Sequence, residues 1–143
     1  MKILIVSQYF WPENFRINEI VDYFKKSKSI ITILTGYPSY PHKKNYTNFE
    51  KKKEINFDPE FKIIRVPIIP RSSSNISIIS NYISFIFSSF LYGFLALFKR
   101  KTDVIFLFCP SPILSAISAI ILNKVFKKKN CYLDFRSLAR YIG

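Results

Sequence analysis

Residues 1–24 read MKILIVSQYFWPENFRINEIVDYF. Ile3 to Val6 are a continuous run of β-formers, Ser7 to Pro12 make a polar and aromatic turn, and Ile17, Ile20, Val21 and Phe24 recur at helical spacing. Strand, turn and helix in that order open a βαβ unit. Pro12 suits the first turn of the helix, where its missing N–H is no loss, and Glu13 beside it suits the positive end of the helix dipole. The turn joins the carboxyl end of a strand to the amino end of a helix, which is where α/β proteins bind ligands.

Composition narrows the class of protein. The 143 residues, 49% of them hydrophobic, suffice for one domain around one core and exclude a disordered chain. A net charge of +13 and a pI near 9.8 point to a polyanion or an anionic membrane, although richness in Lys, Ile, Asn and Phe is also what an AT-biased genome produces. Three glycines are few for an α/β domain. Cys109 and Cys131 lie in apolar surroundings without a CxxC spacing and predict buried thiols in a reducing cytoplasm. One histidine, His42, excludes a His-based metal cluster within the chain. Ile3 to Val6 are too few for the apolar region of a signal peptide.

Ile30 to Thr35 predict a second strand. Gly36-Tyr37-Pro38-Ser39-Tyr40-Pro41-His42 then form a loop that offers aromatic faces and hydroxyls at a strand end. Lys43 to Lys53 read as a solvated excursion. Ile55 to Phe57 and Lys62 to Val66, separated by Asp58-Pro59, suggest a short hairpin or two edge strands, stopped by Pro67 and Pro70. From Ser72 to Phe98 no side chain is charged, and Lys99, Arg100 and Lys101 close the segment. Its length admits a transmembrane helix, whereas its serines and asparagines suit one poorly. Ile79, Ile83, Ile86, Phe87, Phe90, Leu91 and Phe94 form a broad apolar face, as in a helix packed on a sheet or lying in a membrane interface.

Val104 to Phe108 have the length and continuous apolarity of a central parallel strand. Cys109-Pro110-Ser111-Pro112 break it, Ile113 to Phe126 predict a helix closed by Lys127 to Lys129, and Asn130 to Phe135 predict a last strand ending near Asp134. Strands alternating with helices give an α/β fold with a Rossmann-like parallel sheet flanked by helices. The first turn has no GxGxxG and the chain has no GxxxxGK[ST], which removes the physical basis for dinucleotide or P-loop binding. One histidine in a tyrosine-proline loop supports no Ser-His-Asp set. The aromatics fall mainly in apolar segments, not on a stacking surface, which argues against nucleic acid.

Four stretches, MKILIVSQYFWPENFRINEIVDYF, ITILTGYPSYP, RVPIIPR and DVIFLFCPSPILSAISAIIL, resemble in that order the amino-terminal domain of family 4 glycosyltransferases. The likeness is to the bacterial branch that builds O-antigen and capsule sugars, including the L-fucosamine transferase type, and it extends to about Phe135. The resemblance implies one half of a GT-B fold, in which two Rossmann-like domains face each other across a cleft. It implies retaining transfer of a sugar from a nucleotide-sugar donor to a polyprenyl-linked (undecaprenyl) saccharide acceptor, at the cytoplasmic face of the plasma membrane; no cofactor and no metal are expected. Residues 1–143 would be an incomplete acceptor-side domain.

On that likeness Asn14 and Arg16 would meet an anionic group of the acceptor, Arg16 as a bidentate phosphate contact or else as a solvated first-turn residue. Tyr37 and Tyr40 would stack on a sugar face or simply pack, and Ser111 would offer a hydroxyl to the cleft or cap the next helix. Lys99, Arg100 and Lys101 would meet the anionic inner leaflet, at about 1 kcal/mol for each basic residue near the surface. Two departures stand out. Leu133-Asp134-Phe135-Arg136 keeps the first part of a motif whose second acid, tryptophan and proline are replaced by Ser137-Leu138-Ala139-Arg140, which leaves Asp134 as the weak catalytic candidate. The family's donor domain, with its E-x7-E glutamates, has no counterpart in these residues, so the isolated chain is expected to transfer no sugar. A non-catalytic membrane-surface protein, anchored by residues 75–98 and the basic runs, is the alternative.

Overall fold

A computed structural model of the chain describes residues 1–40, 61–99, 101–109 and 116–127, together with the backbone of residues 131–134. Five strands, β1 (Lys2–Ser7), β2 (Ile30–Gly36), β3 (Phe61–Val66), β4 (Val104–Phe108) and β5 (Cys131–Asp134), alternate with three helices, α1 (Ile17–Lys26), α2 (Asn75–Lys99) and α3 (Ile117–Phe126). The strands form one sheet in the order β3-β2-β1-β4-β5, and every pairing is parallel. β1 lies at the centre, with five of its six residues buried, because both of its faces are covered. This is the α/β, Rossmann-like arrangement expected from the alternating pattern.

Side-chain parity divides the core in two. Leu4, Val6, Leu34, Ile105 and Leu107 point to one face and pack on Phe85 and Leu97 of α2 and Ala119 and Leu122 of α3. Ile3, Ile5, Ile31 and Ile33 point to the other face and pack on Ile17 and Val21 of α1, with Ile20 and Phe24 beside them. The order of strands reverses direction between β1 and β4, so the loops leaving their carboxyl ends flank a topological switch point.

Three expectations meet the structure here, the last two as corrections. First, Lys62 to Val66 do form an edge strand, β3, which starts at Phe61 and runs parallel to β2; Ile55 to Phe57 lie outside the described residues. Second, Pro12 is not in the first turn of α1. It follows a cis peptide bond from Trp11, and the helix begins at Ile17 with Arg16 as its N-cap. The intervening residues are used for a tight loop, with the Glu13 N–H donating to the Phe10 carbonyl at 3.1 Å.

Third, α2 packs on the sheet through a face other than the one its large apolar residues suggested. The buried positions are Asn81, Phe85, Ser89, Gly93 and Leu97, one ridge at four-residue steps; of the expected face Ile79, Ile83, Phe87, Leu91 and Phe94 are exposed, while Ile86 and Phe90 are half-buried, Phe90 against the core. The helix is apolar nearly all round, so periodicity could not select a face, and backbone approach did. A Cβ on Gly93 would stand 2.5 Å from Leu122 Cδ1 and 3.1 Å from Leu34 Cδ2. One turn earlier the hydroxyls of Ser89 and Ser118 lie 2.8 Å apart, joining α2 to α3 inside the core.

Candidate functional site

The carboxyl edge of the sheet gathers three chain segments around the first loop. β1 delivers Gln8, Tyr9 and Phe10, β2 delivers Tyr37 to Tyr40, and the segment after β3 delivers Ile68 to Arg71 before α2 starts. Close contact between the first two requires Gly36, where a Cβ would stand 3.1 Å from the Gln8 carbonyl and 2.8 Å from Ile68 Cδ1. Thr35 Oγ1 and the Gly36 N–H both donate to that carbonyl, at 3.3 and 3.2 Å.

Glu13 fixes the second contact. Its side chain is 1% exposed, and its carboxylate accepts the N–H of Ser39 at 2.9 Å, of Tyr40 at 2.8 Å and of Phe10 at 3.3 Å. Burial raises its pKa above the ordinary value of 4.5, and the three N–H groups and the Arg65 guanidinium oppose that rise. Glu13 is therefore not the partner of the helix dipole that the sequence suggested, since α1 starts only at Ile17. It is a buried clamp that ties the β2 loop to the β1 loop. Arg65 reinforces the clamp by donating to the carbonyls of Gly36, at 2.9 Å, and Trp11.

The clamp presents an aromatic surface. The Tyr9 ring stacks on Phe15 with centroids 4.8 Å apart, and Tyr40 meets both rings, at 5.4 Å from Tyr9 and 5.3 Å from Phe15. Arg71 completes the cluster, its Nη1 donating to Tyr82 Oη at 3.2 Å and, more weakly, to Tyr9 Oη at 3.4 Å, with its guanidinium carbon 5.3 Å from the Tyr40 centroid. Burial, then the neighbouring Tyr82, push the Tyr9 phenol well above its ordinary pKa against the pull of Arg71, so it stays protonated at neutral pH. Behind the cluster Gln8 Nε2 donates to Asn81 Oδ1 at 2.7 Å, and Asn81 Nδ2 donates to the Ile69 carbonyl at 2.5 Å. Two buried acceptors at this edge, Gln8 Oε1 and Ser39 Oγ, have no hydrogen-bond partner among the described residues.

Of the residues singled out from sequence, the structure brings Tyr40 into this cluster and leaves Asn14 and Arg16 exposed on either side of Phe15. Arg16 caps α1 with its backbone and makes no side-chain capping bond. Tyr37 is half-buried beside Tyr40 in the same loop. Ser111 and Arg100 lie outside the described residues, and Asp134 is described only as the last backbone position of β5. Lys99 and Lys101 are exposed at the opposite, amino-terminal end of the sheet, where with Lys2 they line a groove of about 370 Å³. An adjoining groove of about 350 Å³ runs between Lys62, Ile64, Tyr92 and Lys99, and both grooves are remote from the tyrosine cluster.

Arg71 and Tyr82 were missed by sequence reasoning, which singled out the loop from Tyr9 to Arg16 but not Tyr9 or Phe15 individually. Arg71 carried a signal nonetheless, as the lone charged residue between Arg65 and Lys99. The edge has the chemistry of a binding surface: aromatic faces, phenol hydroxyls and the Arg71 guanidinium. Both oxygens of its buried carboxylate are occupied by N–H groups, so Glu13 is not placed to move a proton. No group of three or more metal-ligating side chains occurs among the described residues. Comparison with known protein families and with characterised proteins returns no match.

Proposed function

We propose that these residues form the acceptor-side half of a GT-B glycosyltransferase that acts on a polyprenyl-linked saccharide in O-antigen, lipopolysaccharide or capsule synthesis. The observation that carries it is the convergence of Tyr9, Phe15, Tyr40 and Arg71 at the carboxyl edge of a parallel sheet, beside its switch point. Aromatic faces take the apolar faces of sugar rings, and a guanidinium takes the phosphates of a lipid-linked acceptor. The nucleotide-sugar donor binds the facing half of such an enzyme, so these residues alone hold acceptor and transfer nothing.

Attachment to the anionic inner leaflet of the plasma membrane belongs to the same proposal. α2 is 25 residues long with a mean hydropathy of 1.5 over its most apolar stretch, of which only 28% is buried. Its outer face shows Ile83, Phe87 and Leu91 to solvent, and α3 adds Ile120, Ile121 and Val125. An apolar face of that extent with lysines at its end suits an interfacial helix. The same face supports the second reading, a membrane-surface protein without catalytic work. The two separate in nanodiscs of fixed phosphatidylglycerol content, with and without undecaprenyl-diphosphate-linked saccharide. Tighter binding to the saccharide-bearing discs supports the acceptor-side reading, and equal binding to both supports the membrane-surface reading.

A further inference from the structure

We propose that Arg71, framed by Tyr9, Tyr40 and Tyr82, is the oxyanion-binding residue of the carboxyl edge and takes a phosphate or diphosphate group. This deepens the acceptor-side reading and rests on it for the source of that group.

The four residues come from four places in the chain: the β1 loop, the β2 loop, the segment after β3, and the second turn of α2. They meet so that Nη1 of Arg71 is shared by the Tyr9 and Tyr82 hydroxyls while its guanidinium carbon lies over the Tyr40 ring. One nitrogen of the fork is thereby held. Nη2 and Nε donate to no group among the described residues, which leaves the N–H edge that binds a carboxylate or phosphate bidentately.

No carboxylate pairs with Arg71 among the described residues, where its side-chain partners are tyrosines, and the buried carboxylate of Glu13 is engaged by three backbone N–H groups. An arginine needed only to pin a loop would do so equally well to a carboxylate. Neutral phenols instead orient the fork while leaving its charge for a ligand, and they add O–H donors of their own. Arg16, exposed and without such a frame, lacks this pre-organisation.

Calorimetric titration of the purified chain with inorganic pyrophosphate tests the assignment at constant ionic strength. The wild-type chain is expected to bind. Arg71→Met is expected to weaken binding roughly tenfold or more, as loss of hydrogen bonds to a charged group does. Arg71→Lys should fall between the two, since an ammonium keeps the charge and loses the fork. Lys26→Met, which removes a charge on the last turn of α1, should change affinity by less than about twofold, because exposed distant charges are largely screened. Circular dichroism checks that each variant is folded. Should Arg71→Met not fold, Tyr82→Phe keeps the ring, removes one hydroxyl, and is expected to weaken binding roughly threefold.

Wild-type affinity in Arg71→Met, or in Tyr82→Phe where that variant substitutes for it, overturns the assignment, as does equal weakening by Lys26→Met. Competition arms identify the source of the anion. Displacement of pyrophosphate by farnesyl diphosphate but not by phosphatidylglycerol vesicles marks a diphosphate ligand, and displacement by the vesicles marks a lipid headgroup. If Arg71→Met abolishes pyrophosphate binding while the wild-type chain ignores lipid-linked saccharide in nanodiscs, the anion site stands and the acceptor-side reading falls. If Arg71→Met binds the saccharide lipid as the wild-type chain does, the acceptor-side reading stands and the role of Arg71 falls.

Discussion

Replacing Glu13 by alanine should unfasten the carboxyl edge. Three backbone N–H groups, those of Phe10, Ser39 and Tyr40, lose their acceptor at once. A buried donor left unpaired costs about 1–3 kcal/mol, and the Tyr40 N–H lies near enough to the surface to recover water, so a net loss of about 3 kcal/mol is expected. For a domain of this size that corresponds to a fall in Tm of about 10 °C.

Glu13→Gln separates hydrogen bonding from charge. Its carbonyl oxygen can keep the Ser39 and Tyr40 contacts, both made to Oε1, while its amide meets the Phe10 N–H donor to donor. A loss of about 1 kcal/mol is expected, because only one contact fails and the burial of a charge is relieved. The pH dependence has a definite sign. The folded-state pKa of Glu13 is raised, so the folded chain binds more protons than the unfolded chain between the ordinary value of 4.5 and the raised one. Stability contributed by Glu13 is then greatest below that window and is lost as pH rises through it. The advantage of the wild-type chain over Glu13→Gln should accordingly grow between pH 7 and pH 4.5. Urea denaturation followed by circular dichroism measures all three chains. A Glu13→Ala variant within about 1 kcal/mol of wild type would refute the clamp, being no more than an ordinary surface change.

Other substitutions test other parts of the fold. Gly93→Ala should destabilise by about 1–3 kcal/mol in the same denaturation assay, because the new Cβ needs space held by Leu122 and Leu34, both fully buried. Asn81→Ala should cost about 2 kcal/mol, since it strands both Gln8 Nε2 and the Ile69 carbonyl; thermal melts compared with Asn81→Asp report whether the amide is needed. Phe87→Gln with Leu91→Gln should leave stability within about 0.5 kcal/mol, because both side chains are exposed, and should weaken flotation with phosphatidylglycerol vesicles. Unchanged flotation would remove α2 from the membrane contact.

The centre of the sheet was legible because β1 and β4 are plain in sequence, whereas β3 stayed open between a hairpin and an edge strand. Val104 to Phe108 and Ile3 to Val6 are short apolar runs bounded by polar residues, and only a strand buried on both faces needs such a run. α1 was legible for the complementary reason, since Ile17, Ile20, Val21 and Phe24 leave a single apolar stripe. α2 was legible as a helix but not in its orientation. Large side chains identify a buried face only when the opposite face is polar, and here Ser89 and Gly93 went inward because a close crossing with α3 admits nothing larger.

The candidate site was half legible. Its location came from strand-turn-helix order, and Tyr40 from its place in the β2 loop. Arg71 and Tyr82 join it through the path of the chain after β3, which neither spacing nor periodicity encodes. Glu13 shows the same limit. An acid before a helix is read as a dipole partner, whereas the loop from Trp11 to Arg16 turns its side chain into the protein, where backbone N–H groups of a second loop await it.

Hydrogen–deuterium exchange on the chain bound to phosphatidylglycerol nanodiscs tests the central claim most directly. Discs carrying undecaprenyl-diphosphate-linked saccharide are compared with discs lacking it. Binding of the acceptor at the carboxyl edge predicts added protection in residues 8–16 and 37–40 and in the segment around Arg71, with α2 equally protected in both samples. Exchange unchanged at those three segments, or protection confined to the lysine-lined groove at the other end of the sheet, would contradict it.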